Sequence, residues 1–329
     1  MTEATATIAE PAPAPRRIDV MKTFHTYGTF AIFLILIALA AAQSDVFLSE
    51  RNAMNVLRQM AGIGIMSIGM LFVILTRGID LSVGSIAALG SVSSAILLKD
   101  YPLPLGLTMV VGLGALCGLV SGVFIAVFRL PAFVITLAMM TAARGFALIL
   151  SNGQPITLGA PGKALSTFGT SFTFGFPNPV LLMFGLFLVA LLVLNFSRFG
   201  RLVKAIGSNV EAVRLSGISV PAHVLSVYVI SGALAAVAGI VITSRSGVGS
   251  ASVGEGNELD VIAAVVIGGA SLMGGRGGVM NTLLGVMILG VIGNIMNLAG
   301  VPGYHQQVYL GAIIVIAVLL QNGSSLLRR

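Results

Sequence analysis

Five charged residues fall within residues 197–219, the most polar stretch between the long apolar runs of this chain. They are Arg198, Arg201, Lys204, Glu211 and Arg214. Ser208 and Glu211 have the spacing of a capping box, and Gly217 is a residue that commonly ends a helix. The pattern predicts a short helix from Asn209 to Ser216. Since so short a helix is unstable alone in water, it must lie against lipid headgroups, its own chain or another protein.

Residues that could catalyse a reaction or bind a nucleotide form no recognisable motif. Gly162-Lys163 lacks the earlier glycine and the following Ser or Thr that a phosphate-binding P-loop requires. His25, His223 and His305 stand far apart, without zinc-ligand spacing, and Cys117 is the single cysteine. We therefore expect a protein that is not an enzyme and that binds no cofactor of its own.

Polar residues in or beside apolar runs are candidates for lining or gating a solute pathway: Asp80, Ser82, Arg144, Asp260, Asn294 and Asn297. Asp80 could instead cap the following helix, which we favour, because an acid stabilises a helix N-terminus. Arg144 is equally compatible with snorkelling to the lipid interface and with facing an aqueous pathway. Asn294 and Asn297 share a helix face and could hydrogen-bond a solute or, as we favour, join two helices.

The composition indicates how these residues are positioned. With 57% hydrophobic and 9% charged residues, the chain has too few charges to cover a soluble globule. The net charge of +7 is spread over short loops between apolar runs, which is typical of membrane-flanking loops and not of nucleic-acid binding. We predict an all-α polytopic membrane protein of about ten spans, the eighth of them short: 23–44, 59–76, 81–98, 101–128, 130–150, 176–196, 218–243, 261–274, 278–300 and 306–326.

The ends and loops follow from the same pattern. Residues 1–22 are rich in Thr, Ala and Pro and are predicted to be a disordered tail, before a transmembrane domain at 23–327. The first apolar run could be a cleaved signal peptide, although its length favours an uncleaved span. If the tail is cytoplasmic, twelve of the 18 Lys and Arg residues face inward, five face outward and Arg144 lies in a span. Both termini and residues 197–219 are then cytoplasmic, and residues 245–260 face outward.

Two short patterns concern helix packing. Asp80 and Asp260 each open a span that contains an Ala-Ala pair, and they lie five spans apart. This predicts an inverted repeat of spans 2–5 and 7–10, although a similarity so short also arises by chance. Small residues at spacings of four in spans 4 and 7 predict close contact between helix backbones: Gly114, Gly118 and Gly122, and Ser231, Ala235 and Gly239.

Three motifs together resemble the membrane permease of ribose-type sugar ABC importers. They are Gly78-Ile79-Asp80-Leu81-Ser82-Val83-Gly84, the segment Ala205–Ile218, and the segment Glu258–Gly277 with its Gly268-Gly269 and Gly274-Gly275 pairs. The resemblance covers about residues 25–327. It implies a homodimeric permease in the inner membrane of a bacterium, supplied by a periplasmic sugar-binding protein. It also implies a cytoplasmic ATPase partner, and that partner, not this chain, would bind ATP.

The resemblance also implies a role for the predicted short helix as the coupling helix that contacts the ATPase. The residues implied are Ser208, Asn209, Glu211, Ala212, Arg214, Leu215 and Gly217. Glu211, Ala212 and Gly217 match the importer signature Glu-Ala-Ala-x-x-x-Gly, but Val213 replaces its third residue and its later part is absent. This departure leaves the individual coupling contacts open.

Other functions fit less well. A transporter driven by a proton or sodium gradient would need acids well inside spans, and the acids here lie in loops or at span ends. A channel or a receptor scaffold is a further alternative, and a membrane enzyme comes last. The sequence does not distinguish pentoses, other monosaccharides, polyols and similar small solutes.

Overall fold

The structure is a computed structural model, and it describes residues 20–326. The predicted disordered tail lies outside these residues except for its last three, which begin the first helix. Most of the described residues are helical, as the sequence predicts, and the four strands contain two residues each. The protein is an all-α, multi-pass membrane protein.

Thirteen helices and four short strands make up the described chain. The helices are α1 Val20–Gln43, α2 Glu50–Leu75, α3 Val83–Asp100, α4 Leu103–Ala126, α5 Ala132–Ser151, α6 Lys163–Thr170, α7 Asn178–Phe196, α8 Arg198–Ser208, α9 Val210–Leu215, α10 Val220–Ser246, α11 Asn257–Ile267, α12 Val279–Leu298 and α13 Gly303–Leu326. The strands β1 Ile156–Thr157 and β4 Val248–Gly249 pair antiparallel, as do β2 Phe172–Thr173 and β3 Phe176–Pro177.

Seven of the described helices are long and apolar enough to cross a membrane: α2, α3, α4, α5, α7, α10 and α12. Helices α1 and α13 occupy the positions of the first and tenth predicted spans. The short eighth span predicted at 261–274 is not one continuous helix, because α11 begins at Asn257 and ends at Ile267 after 11 residues. A glycine-rich segment, residues 268–278, follows it, and Gly269 has a left-handed backbone that ends the helix.

The long helix α10 lies at the centre and packs against α2, α3 and α4. Small residues make these contacts possible. A Cβ atom at Gly118 of α4 would collide with the carbonyl oxygen of Tyr228, and one at Gly239 would collide with that of Ala87. The close packing predicted for both small-residue ridges is therefore confirmed.

Residues 247–256 form a re-entrant segment between α10 and α11, which packs against α3 where the sequence predicts a polar loop. Gly249 packs against Ala95, near the end of α3, whereas Gly254 packs against Gly84, in its first turn. The segment therefore runs back along α3 into the helix bundle. Its carbonyl groups find a donor there, since Arg144 of α5 bonds the carbonyl oxygens of Ala251 and Val253, the latter at 2.8 Å.

Candidate functional site

The segment predicted to hold one short helix contains two. Helix α8 begins after Ser197, whose Oγ accepts a hydrogen bond from the amide of Gly200 at 3.0 Å. Val203 and Ile206 face inward and are buried, whereas Arg201 is exposed. Sequence reasoning missed this helix, although Ser197 followed by buried residues at helical spacing is a usable signal.

Helix α9 matches the predicted short helix in position, but it is capped differently. Asn209 is its N-cap and accepts a hydrogen bond from the amide of Ala212 at 3.0 Å. Ser208 ends α8 instead, and its hydroxyl donates to the carbonyl oxygen of Lys204 at 3.0 Å. The predicted capping box between Ser208 and Glu211 is therefore wrong, because Ser208 still belongs to the preceding helix. Gly217 ends α9 with a φ of +77°.

The outer surface of α9 is open. Val213 is its only buried residue, at 7% exposure, whereas Val210 is 42% and Leu215 is 74% exposed. Glu211 forms an ion pair with Arg214, one turn later. The guanidinium of Arg214 lowers the pKa of Glu211, and the carboxylate raises the pKa of Arg214. The helix thus presents apolar side chains beside a paired charge, a composition suited to contact with another protein.

Arg77 holds the junction between α8 and α9. Its Nε donates to the carbonyl oxygen of Gly207 at 2.7 Å, and its Nη2 donates to that of Ser208 at 3.0 Å. These carbonyls end α8 and have no amide partner within that helix, so a cation is well placed there. Arg77 follows α2 and has a φ of +67°, an unusual backbone for a residue other than glycine. The bonds therefore tie the end of α2 to the start of α9.

The glycine-rich segment 268–278 completes this junction. The amide of Gly275 donates to the carbonyl oxygen of Leu75, the last residue of α2, at 3.0 Å. A Cβ atom at Gly275 would lie 2.8 Å from the amide nitrogen of Ser208, and one at Gly207 would collide with the carbonyl oxygen of Leu75. Segments from α2, α8 and the region after α11 thus meet in backbone contact. We call this meeting point, residues 75–77, 207–208 and 274–275, the three-segment junction.

Asp80 is buried, with 1% of its surface exposed. It accepts hydrogen bonds from the amide of Ser82 at 3.0 Å, from the Ser82 hydroxyl at 2.5 Å and from the Ser231 hydroxyl at 2.7 Å. Ser82 is itself the N-cap residue of α3, so the predicted capping of the helix amides by Asp80 is wrong. Its carboxylate instead joins the loop before α3 to the middle of α10.

The other candidate pathway residues are dispersed. Asn294 exchanges two hydrogen bonds of 2.9 Å with Asn52, which joins α12 to α2 as we favour from the sequence. Asn297 accepts a bond of 2.9 Å from Gln306, at the start of α13. Asp260 lies in the first turn of α11 and is partly buried. Arg144 donates hydrogen bonds to two carbonyl oxygens of the re-entrant segment.

In the described part of the chain, no three His, Cys, Asp or Glu side chains come together to form a metal site.

Comparison with known proteins finds similarity to permease proteins of transport systems. Residues 52–318 match the family described as branched-chain amino acid transport system / permease component. The ribose import permease protein RbsC of Haemophilus influenzae is 40% identical over 297 residues, which cover 89% of this chain and 92% of that protein. RbsC of Bacillus subtilis is 39% identical over 312 residues, covering 94% and 97%.

The xylose transport system permease protein XylH of Escherichia coli is 34% identical over 357 aligned positions, which cover 89% of this chain and 90% of that protein. No solved structure shows a significant match.

Proposed function

Because this chain belongs to the family of branched-chain amino acid transport system permease components, we propose that it is the permease subunit of an ABC importer for a small sugar. Curated relatives named for ribose and xylose support a sugar, because each is at least 34% identical to this chain over most of its length. The solute is then a ribose-like monosaccharide or a related polyol. A separate ATPase binds the ATP, and a periplasmic binding protein delivers the solute.

The observation that carries this proposal is the three-segment junction beneath an open helix. A permease that binds no ATP must receive motion from a partner, and α9 offers an exposed surface for that contact. Any displacement of α9 acts directly on Gly207 and Ser208, which Arg77 and Gly275 tie to the end of α2. Because Arg77 and Asp80 lie in the same loop, the displacement also reaches the contact between Asp80 and Ser231 on α10. The junction thus links α9 to the central helix through the hydrogen bonds of Arg77 and Asp80 and through the backbone of the loop between these two residues.

The orientation and assembly are part of the proposal. The excess of Lys and Arg on the α9 side of the spans supports a cytoplasmic α9 and cytoplasmic termini in the inner membrane of a bacterium. The permease domain at 23–327 forms a homodimer, and residues 197–219 form its coupling loop. Ser208, Asn209, Glu211, Ala212, Arg214, Leu215 and Gly217 remain the coupling residues. Asp80, Ser82, Arg144, Asp260, Asn294 and Asn297 act as gating or positioning residues, because most of them hold segments of this chain together.

A reconstituted system tests the proposal. The permease is placed in liposomes with the ATPase and binding protein of the same host, and uptake of labelled ribose and ATP hydrolysis are measured together. Replacing α9 by a Gly/Ser linker should abolish ATPase binding and uptake, because the docking surface is gone. Uptake that needs an ion gradient, continues without an ATPase and survives the linker would instead establish a gradient-driven transporter.

A second experiment tests the exposed apolar surface of α9 with a single substitution. Leu215→Ala should reduce ATPase binding without affecting folding, since Leu215 is 74% exposed. Phe174→Ala is the matched control, because Phe174 is 92% exposed and lies in the turn between β2 and β3, away from α9. Equal ATPase binding by both variants and the unaltered protein would count against α9 as the contact.

A further inference from the structure

A cavity of about 510 Å³ lies at the end of the helix bundle opposite α9. Residues 55–63 of α2, the last turns of α10 and the start of α11 enclose it. Arg245 at the end of α10 lines it, about 25 residues from the α9 end of that helix, which is roughly 37 Å at 1.5 Å per residue. Its volume lies within the usual range for small-molecule sites. None of the candidate pathway residues lines it.

Two arginines give the cavity an uncompensated positive charge. Arg58 and Arg245 both line it, and no Asp or Glu is among its lining residues in the described chain. Arg214 and Glu211 form the single ion pair of the described residues, so neither arginine has an acidic partner there. Glu255 and Glu258, near the start of α11, do not line the cavity, and both interact electrostatically with Arg144. Like charges on one cavity wall repel, so the arrangement favours a bound group that carries negative or partially negative oxygen.

Arg58 adds a second observation that points to a ligand. Its Nε is buried and makes no hydrogen bond to any described residue. The guanidinium lies over the ring of Phe172, 5.0 Å from the ring centre, which fixes its orientation. A buried donor without a partner is costly, so an unpaired and preoriented guanidinium is a feature of a binding site more than of a packed core.

The rest of the lining suits a sugar. Asn55, Gln59 and Asn257 add amide groups that both donate and accept. Two guanidiniums supply up to ten N–H donors, so donors are in excess and the cavity suits a small solute with many acceptor oxygens. The hydroxyl oxygens of a monosaccharide are such acceptors. Ile63 and Ile242 provide an apolar wall for the face of the ring.

We infer that this cavity is a transit site for a monosaccharide, held through its oxygen atoms by Arg58 and Arg245 after the binding protein releases it. This inference rests on the proposed function and adds where the solute first contacts the permease. Gly254 lines the cavity and packs against Gly84 at the start of α3. The re-entrant segment that Arg144 holds therefore forms part of the cavity wall and connects it to α3.

Cysteine labelling tests the charge of the cavity. In a Cys117→Ser background, which removes the single native thiol, Asn55→Cys places one thiol in the lining. A negatively charged methanethiosulfonate reagent should react faster than a positively charged one. Arg58→Gln should reduce that ratio about tenfold, the change expected when one interaction with a charged group is lost. Arg51→Gln is the control, since Arg51 lies on α2 but does not line the cavity, and Gln154→Cys is the control thiol outside it.

Protection by sugar tests the ligand. D-ribose or D-xylose at millimolar concentration should slow labelling of Asn55→Cys but not of Gln154→Cys, and Arg58→Gln or Arg245→Gln should remove the protection. Protection by neither sugar, or equal protection in the arginine variants, would overturn the inference. Slower labelling with empty binding protein but not with sugar would overturn it too and assign the arginines to protein docking. ATP hydrolysis stimulated by the loaded binding protein is measured in parallel, because its absence counts against the proposed function itself.

Discussion

Arg77 provides the sharpest test of how α9 is connected to the membrane helices. Arg77→Met keeps an unbranched side-chain stem but removes both hydrogen bonds to the C-terminal end of α8. A hydrogen bond to a charged group contributes about 1.5–3 kcal/mol when buried. Arg77 is exposed, and its bond to Ser208 lies at the surface, so we expect about 1–3 kcal/mol for the pair. That loss raises the population with an undocked α8–α9 junction by roughly 5- to 150-fold.

Hydrogen exchange measured by mass spectrometry reports this population. Amides in the last turns of α8 should exchange roughly 5- to 150-fold faster in Arg77→Met, because opening of the junction limits their exchange. In the reconstituted importer the same variant should hydrolyse ATP but import less sugar per ATP. Arg77→Lys should give exchange rates and sugar-to-ATP ratios between those of the unaltered protein and those of Arg77→Met, since an ammonium lacks the planar fork that bonds both carbonyls.

The backbone of Arg77 requires one control. Its φ of +67° is easier for glycine than for other residues, so Arg77→Gly removes the side chain but relieves local strain. Comparison of the glycine and methionine variants therefore separates the lost hydrogen bonds from the backbone. Unchanged exchange in α8 and an unchanged sugar-to-ATP ratio in Arg77→Met would refute the proposed path through the junction.

Further predictions concern the packing that supports this path. Gly118→Ala should destabilise the protein by about 1–3 kcal/mol through overpacking against α10. Gly112→Ala on the same helix has open space around it and should be neutral or stabilising. The aggregation temperatures of the two variants in detergent measure this difference. Asn52→Ala and Asn294→Ala should each destabilise, with a coupling energy of about 0.5–1.5 kcal/mol in a double-mutant cycle, and additive effects would contradict their pairing. Arg144→Met should leave the carbonyls of the re-entrant segment unpaired and increase proteolysis there, and unchanged proteolysis would argue against this anchor.

The sequence predicts the long spans well because each is a continuous apolar run. The start of helix α2 differs from the prediction, since the helix begins at Glu50 and not at residue 59. Ser49 accepts a hydrogen bond from the amide of Asn52 and caps polar turns that the apolar pattern does not include. The small-residue ridges on α4 and α10 can also be predicted from the sequence, because a spacing of four places small residues on one helix face.

The three-segment junction and the re-entrant segment cannot be predicted from one sequence, because both depend on contacts between residues that are distant in the chain. Residues 247–256 are rich in Gly and Ser and have the composition of an exposed loop. What folds them back is the fit of Gly254 against Gly84 and the bonds from Arg144. Likewise, nothing local indicates that Arg77 bonds residues about 130 positions later.

Photo-crosslinking at α9 tests the central claim most directly. A photoreactive amino acid is placed at Leu215 or, as a control, at Phe174, and membranes of the host are irradiated. We predict that Leu215 crosslinks to an ABC ATPase identified by mass spectrometry and that Phe174 does not. No ATPase adduct at Leu215, in membranes where the importer is active, would contradict the assignment of α9 as the coupling helix.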